Sequence, residues 1–397
     1  MTVPRTITAV EMQYINRSAI LEILRKESPV SRTYLAKRLD VSLPTVMRTV
    51  DKLIEEELIR PVDETEWSGG RRRALLEFNT ESHVVIGVDL GGTKMYVAIA
   101  DFGGSILGEN SLLHHETSGE ESYQHLIDLI QNLLENVNLD GRNLRGIGIG
   151  APGITHHEDG IVSWAPSLNW RDFPLKSRLA DHFNLPVIVD NDVNLAVLGE
   201  LWFGVGQNYQ NIVLISVGTG IGAGIVIDGA LYRGTHQAAG EIGYIIPDRK
   251  FLGREYEGFG ALESLASGSG IVERAKQYLT KQKIDIDIDS LSTQDVFEAM
   301  GRGEQWAHPI IDETVDYLAI AIASVSVLFD PELIVLGGGV SRSADHLIEP
   351  IINRIEGAIP ITPTIVASSL GRQAAVMGAI TSLMHNTDEF YVVRKLT

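Results

Sequence analysis

Residues 84–94, VVIGVDLGGTK, decide how the chain is read. Val84–Val88 is an apolar run of buried-strand length, ending in the glycine-rich Asp89-Leu90-Gly91-Gly92-Thr93-Lys94. Met95–Ala100 follows as its hairpin partner. Glycine lets the main chain approach a phosphate closely and leaves amides to donate to it. Two later segments repeat the arrangement. Gly218-Thr219-Gly220-Ile221-Gly222-Ala223-Gly224 follows Ile212–Val217, and Gly337-Gly338-Gly339-Val340 follows Leu333–Leu336. None matches G-x-x-x-x-G-K-[ST], so this is not a P-loop, and the first is not a G-x-G-x-x-G that opens a helix, which disfavours a dinucleotide fold.

Outward from these loops, apolar runs predict strands at 145–149, 186–189 and 223–227. Helical periods predict helices at 121–137, 194–203, 261–278, 308–328 and 372–385. The alternation indicates an α/β architecture. Val189-Asp190-Asn191-Asp192-Val193-Asn194 lies between the loops. An Asp at a strand end can take a proton from a sugar hydroxyl in phosphoryl transfer, and a neighbouring Asn can fix that hydroxyl. Asp190 and Asp192 are expected to point apart, so that only one faces a site. The same tripeptide also suits a turn or a helix cap.

The first 80 residues have a different texture. Ile20, Ile23 and Leu24 share a face of a helix over 16–26, which Pro29 ends. Ser31 caps a helix over 32–39, and Ser42 caps another that runs to about Leu58, with Pro44 in its first turn. Ile59–Val62 and Ala74–Phe78 then read as short strands bracketing a polar tip, Glu64–Arg73. Three helices and a hairpin outline a winged helix-turn-helix. The second helix of that motif enters the major groove with its N-terminal residues on base edges, here Ser42, Leu43, Pro44, Thr45, Arg48 and Thr49. Arg48 suits a bidentate contact to guanine. Arg32 and Thr33, at the preceding helix start, suit phosphates. Arg71, Arg72 and Arg73 on the wing suit a minor groove or its flanking backbone. The competing reading is a small helical module that binds protein, but three adjacent like charges are costly unless an anion meets them.

Composition agrees with this division. The chain has 397 residues, enough for two or three domains at about 150 each, and 44% are hydrophobic. The formal charge of -19 opposes nucleic acid, yet residues 1–80 carry 13 Lys/Arg against 12 Asp/Glu, and the remainder carries 20 against 40. The acid therefore lies outside the winged unit. Cysteine is absent, which excludes disulfides, thiol catalysis and cysteine-ligated zinc. No apolar run reaches about 18 residues, and the N-terminus lacks the pattern of a signal peptide. These features predict a cytoplasmic protein that does not partner a membrane.

The combination resembles the ROK family (repressors, open reading frames and kinases), in its repressor-type members. The resemblance implies an actin-like, RNase H-like fold of two lobes around a cleft. It divides the chain into a winged helix-turn-helix over 1–80 and a sugar-kinase-like domain over 84–390. The small lobe spans about 84–193 plus the C-terminal helix, and the large lobe about 194–371. Asp89, Gly91, Gly92, Thr93 and Lys94 resemble the first phosphate motif. Gly218, Thr219, Gly220 and Gly222 resemble the second, and Gly338 and Gly339 would complete the nucleotide side. Ala151-Pro152-Gly153 and Leu168-Asn169-Trp170 resemble sugar-side segments. Asn191-Asp192-Val193-Asn194 resembles the motif carrying the sugar-phosphorylating base, which assigns that role to Asp192. Gly240-Glu241-Ile242-Gly243 and Gly260-Ala261-Leu262-Glu263 resemble two further family segments. The match implies that Asn169, Asn191, Asp192, Glu241 and Glu263 contact sugar hydroxyls.

The departures are informative. The family's zinc cage of one His and three Cys is replaced by Tyr244, Arg254, Tyr256 and Ala261. No structural zinc is therefore expected. Packing through Tyr244, Phe251, Tyr256 and Phe259 is expected to hold the segment instead. Tyr244 also joins the sugar side, where its replacement of His leaves the sugar unnamed. No cofactor is required for regulation, while ATP with magnesium, and kinase activity, stay open because the phosphate loops are intact. The expected partners are double-stranded operator DNA, a small sugar effector and a second copy of the chain. A homodimer would read half-sites about 34 Å apart, or a multiple of that.

Overall fold

The computed structural model describes residues 9–68, 71–113, 118–256 and 259–385. The N-terminal unit opens with α1 (Ala9–Glu27), longer than its apolar period suggests, followed by β1 (Val30–Ser31). Ser31 accepts the Tyr34 N–H and starts α2 (Arg32–Leu39), which Asp40 ends in left-handed backbone. Ser42 accepts the Thr45 N–H and starts α3 (Leu43–Glu55). The hairpin strands β2 (Ile59–Ser68) and β3 (Arg71–Phe78) run further than the sequence suggests. Pairing resumes after an irregularity between Val62 and Thr65 and continues to Ser68 opposite Arg71. β1 adds a third strand against β3, through Val30 opposite Leu76.

The rest of the chain holds two five-stranded sheets with the same order. The first contains β4 (His83–Leu90), β5 (Lys94–Asp101), β6 (Ile106–Leu113), then, after α4 (Gly119–Asn136), β7 (Asn143–Ala151). A small three-stranded sheet of β8 (Ile154–His156), β9 (Ile161–Ala165) and β10 (Trp170–Phe173) intervenes before α5 (Leu175–Phe183) and β11 (Val187–Asn191). The sheet order is β11-β7-β4-β5-β6, an antiparallel meander extended by two parallel strands. Next comes α6 (Asp192–Trp202). The second sheet contains β12 (Ile212–Val217), β13 (Ile221–Ile227) and β14 (Ala230–Leu231). The helices α7 (Glu263–Ala266), α8 (Gly268–Gln282), α9 (Thr293–Gly301) and α10 (Ala307–Phe329) then lead to β15 (Leu333–Gly337), α11 (Ile348–Ile355) and β16 (Ile365–Ala367). Its order is β14-β13-β12-β15-β16, with the same directions. The predicted helix over 261–278 is broken because Ser267 leaves α7 in extended backbone and caps α8 through the Gly270 N–H.

The last element, α12 (Ala374–His385), packs on β4 and β7 of the first sheet and on α6, which covers the second. α6 and α12 thus form the layer between the sheets. A Cβ on Gly199 would strike the Ala374 carbonyl, and one on Gly378 would strike the Leu195 carbonyl. Glycine at both places lets the two helices touch backbone to backbone.

The winged unit does not hang from a tether. One buried core draws Ile20, Leu24, Leu53 and Leu58 from it, and Val85, Phe102, Trp202, Met377 and Ile380 from beyond residue 83. Arg17 pairs with Glu56 at 2.7 Å and donates to the Met384 carbonyl. The Arg25 guanidinium lies 4.5 Å from the centre of the Trp202 ring and donates to Gln207 Oε1. Lys26 donates to the Gln207 carbonyl at 2.9 Å. Among the described residues, no helix is long and apolar enough to cross a membrane.

Candidate functional site

The strand ends and loops of both sheets converge on one cleft of about 2230 Å³. Asp89 closes β4, and Gly91 returns its N–H to the Lys94 carbonyl at 2.8 Å, making the tight turn into β5. Burial pushes the Asp89 carboxyl up to about 6, against the pull of Lys94. Gly92, Thr93 and Lys94 line the cleft beside it, with Gly218, Thr219, Gly220 and Gly222 from the β12–β13 turn and Gly338 and Gly339 after β15. A Cβ on Gly339 would meet nothing within 4 Å, and one on Gly218 only the Gly339 amide nitrogen at 4.0 Å. Two main-chain segments therefore face open space of the kind a polyphosphate needs. Arg342 and Arg372 also line this side. They escaped the sequence reading because neither belongs to a glycine segment.

Asp190 and Asp192 separate as expected, but not through strand alternation, which puts residues two apart on one face: the strand ends at Asn191 and Asp192 opens α6. Asp190 turns inward to Arg233 at 2.6 Å and to the Asn194 amide at 3.1 Å. Asp192 turns into the cleft as the first residue of α6. Burial holds its carboxyl well above the ordinary range, and the charges of Asp89 and then Glu241 push the same way, although it accepts the Val193 N–H. Asn191 is committed to structure. Its Oδ1 accepts the N–H groups of Val193 and Asn194, capping α6, and its Nδ2 donates to the Gly153 carbonyl. Asn191 also lines the cleft, and the sugar contact expected of it would fall to the amide hydrogen that these bonds leave over.

Glu241, Glu263 and Tyr244 line the same cleft, as does Asn169, which stands in left-handed backbone. Burial and then the Glu263 charge push the Glu241 carboxyl up to about 7. Burial raises Glu263 too, although its Oε2 accepts the Ile221 N–H at 2.8 Å. Burial, Glu241 and Glu263 together raise the Tyr244 phenol. Four carboxylates, Asp89, Asp192, Glu241 and Glu263, thus share a cleft that suits a ligand rich in hydroxyl donors.

Among the described residues, no group of three or more His, Cys, Asp or Glu side chains is placed to hold a metal ion. The expected aromatic packing around 244–259 is corrected. Phe251 is buried against the large-lobe core, edge-on to Tyr317 and flanked by Lys250 and Arg254, and Tyr256 packs nearby. Tyr244 and Phe259 are half exposed and line the cleft instead.

On the winged unit, Ser42, Pro44, Thr45 and Arg48 stand on the outer side of α3, opposite the buried Val46, Val50 and Leu53. Thr49 does not join them. It is 6% exposed and its hydroxyl donates to the Thr45 carbonyl, so it leaves the expected contact set. Arg32 is held by Asp51 at 3.2 Å, and Thr33 is partly exposed. Gly69, Gly70 and the side chains of Arg71, Arg72 and Arg73 lie outside the described residues. Met47 was missed, although the period of α3 already places it outside, and Leu43 is exposed with it.

The sequence profile of the ROK family matches residues 85–386, and a profile described as winged helix-turn-helix DNA-binding matches residues 15–60. The xylose repressor of Caldicellulosiruptor bescii is 30% identical, over 96% of this chain and 98% of its own. The glucokinase of Halalkalibacterium halodurans is 36% identical, over 74% of this chain and 92% of its own. The crystal structure of a ROK family transcriptional regulator, a homologue of the E. coli MLC protein, matches with a TM-score of 0.81 at 27% identity, over 94% of this chain and 97% of its own.

Proposed function

The chain belongs to the ROK family, and from that premise we propose that it is a sugar-responsive transcriptional repressor, with operator DNA on the winged unit and the sugar effector in the cleft. One observation supports the coupling above all others. α6 begins at Asp192 in the cleft and ends at Trp202 beneath Arg25 of the winged unit. A single helix of 11 residues runs from the cleft to the base of the winged unit. Sugar bound between Asp192, Glu241 and Glu263 changes the closure of the lobes, and α6, welded to α12, carries the change to the seat of α1. The coupling requires the sugar to bind the two arrangements with different affinity, by about 1–3 kcal/mol. The protein acts in the cytoplasm as a dimer, with each winged unit on one half-site of a pseudo-palindrome.

The test is fluorescence anisotropy on DNA from upstream of its own gene, against a panel of sugars, with and without ATP. D-xylose heads the panel because several relatives are named xylose repressors, and glucose follows. Specific binding relieved by one sugar without ATP supports the proposal. Specific binding that no sugar alters refutes the effector role.

A second reading, ATP-dependent phosphorylation of the sugar, draws on the open space between Gly218 and Gly339 and on the buried Asp192. ATP and its magnesium ion would enter as substrate, and Asp192 would take the proton of the attacking hydroxyl. Sugar-dependent ATP turnover that disappears in Asp192→Asn would establish it.

A further inference from the structure

The outer face of α3 is richer in exposed hydrocarbon than a water-facing helix needs. Leu43 is 41% and Met47 45% exposed, one turn apart, and Pro44 is exposed beside them. They occupy the first two turns, the part of a recognition helix that meets base edges. The polar groups there are largely spent. The Ser42 and Thr45 hydroxyls bond each other at 2.8 Å, and Ser42 also caps the helix. Asp51, one turn beyond Met47, holds Arg32. Arg48 has no intramolecular ion pair among the described residues. The surface therefore presents one strong donor flanked by methyl and methylene groups.

In the major groove the thymine C5 methyl is the apolar feature of a base edge, while guanine offers the paired acceptors that a guanidinium fits. The geometry points to Leu43 and Met47 as specificity-determining residues that read thymine methyl groups beside a guanine contacted by Arg48. The inference rests on the DNA-binding reading above and deepens it. It assigns the half-site a chemical pattern, thymines next to a guanine. It also separates two kinds of contact. Apolar contacts set sequence preference without neutralising phosphate, so they leave the salt dependence of binding unchanged.

The experiment begins with selection of duplexes by the full-length protein from a randomised library. Each thymine of the selected half-site is then replaced by deoxyuridine, which removes the methyl group alone. The wild type is expected to lose roughly three- to fivefold in affinity at one or two positions, the effect of one buried carbon. Met47→Ala is expected to be indifferent to deoxyuridine at one of those positions and Leu43→Ala at another, both with an unchanged slope of log affinity against log salt. Deoxyuridine tolerated at every position overturns the inference and leaves DNA binding intact. So does an equal loss by Met47→Ala and Leu43→Ala on thymine and deoxyuridine duplexes. A library that yields no enriched duplex overturns the DNA-binding reading itself. In that outcome the exposed apolar face belongs to a protein contact.

Discussion

Glu241 shows how a ligand-free cleft opposes its own burial. A carboxyl that ionises near 4.5 in water is pushed up to about 7 here. In the folded chain it therefore holds its proton at pH values where the unfolded chain has lost it. The sign follows: its contribution to stability is present in full below about 4.5 and is gone once pH passes about 7. Asp89, pushed up to about 6, acts in the same direction. The sugar-free protein is expected to melt at lower temperature at pH 8 than at pH 6, and Glu241→Gln is expected to reduce that difference. An unchanged difference in the variant, measured by calorimetry, would remove Glu241 from the strained set. At the other surface, Arg48→Ala should weaken operator binding by about 1–3 kcal/mol, roughly fivefold or more, and leave sugar affinity as it was. Equal operator affinity in anisotropy would refute the contact. Much of this chemistry is legible in the sequence. Asp89, Asp192, Glu241 and Glu263 sit in short motifs whose glycines are dictated by backbone approach. Less legible were the bonds that Thr49 and Asn191 make within the fold. Residue type and rough phase name a polar group but not the backbone atoms that already occupy it.

At the scale of elements, the α6–α12 contact does the mechanical work. Gly378→Ala places a methyl group against the Leu195 carbonyl, and backbone cannot turn aside as a side chain can. The expected cost is about 2 kcal/mol or more of stability in denaturant titration. A variant as stable as the parent would mean that the helices part easily and cannot transmit a shift. Asn191→Ala removes the cap of α6 and its tie to Gly153, for about 1 kcal/mol of cap energy, and should blunt the sugar response as well. The long, strongly periodic elements, α4 and α10, and the apolar strands β4, β12 and β15 were readable because burial alone specifies them. The small sheet of β8, β9 and β10 was not, since strands of three to five residues leave too little pattern. The repeated sheet order was hidden likewise, because β14 and β16, at two and three residues, complete it.

For the whole molecule, the junction at Arg25 is the place to separate binding from response. Arg25→Ala removes the contact with Trp202 and Gln207 while sparing both ligand surfaces. Affinity for operator without sugar, and for sugar without operator, should each move less than about fivefold, since a cation–π contact of this kind is worth roughly 1 kcal/mol. The ratio of operator affinities with and without sugar should fall toward one. A ratio as large as the wild type's would show that the signal travels elsewhere. The shared core has a further consequence, for how such a chain could have been assembled. A winged unit joined by a loose linker could be exchanged like a handle. Here its removal would lay bare Val85, Phe102, Met377 and Ile380, and would leave Ile20, Leu24 and Leu53 without a cover. Either half expressed alone should be sticky and prone to aggregate, and the two should melt in a single cooperative step. Fusing such a head to a free-standing kinase would require resurfacing Trp202 and the face of α12 that carries Met377 and Ile380. Any such fusion would be written there, in apolar side chains that line neither the cleft nor the recognition helix.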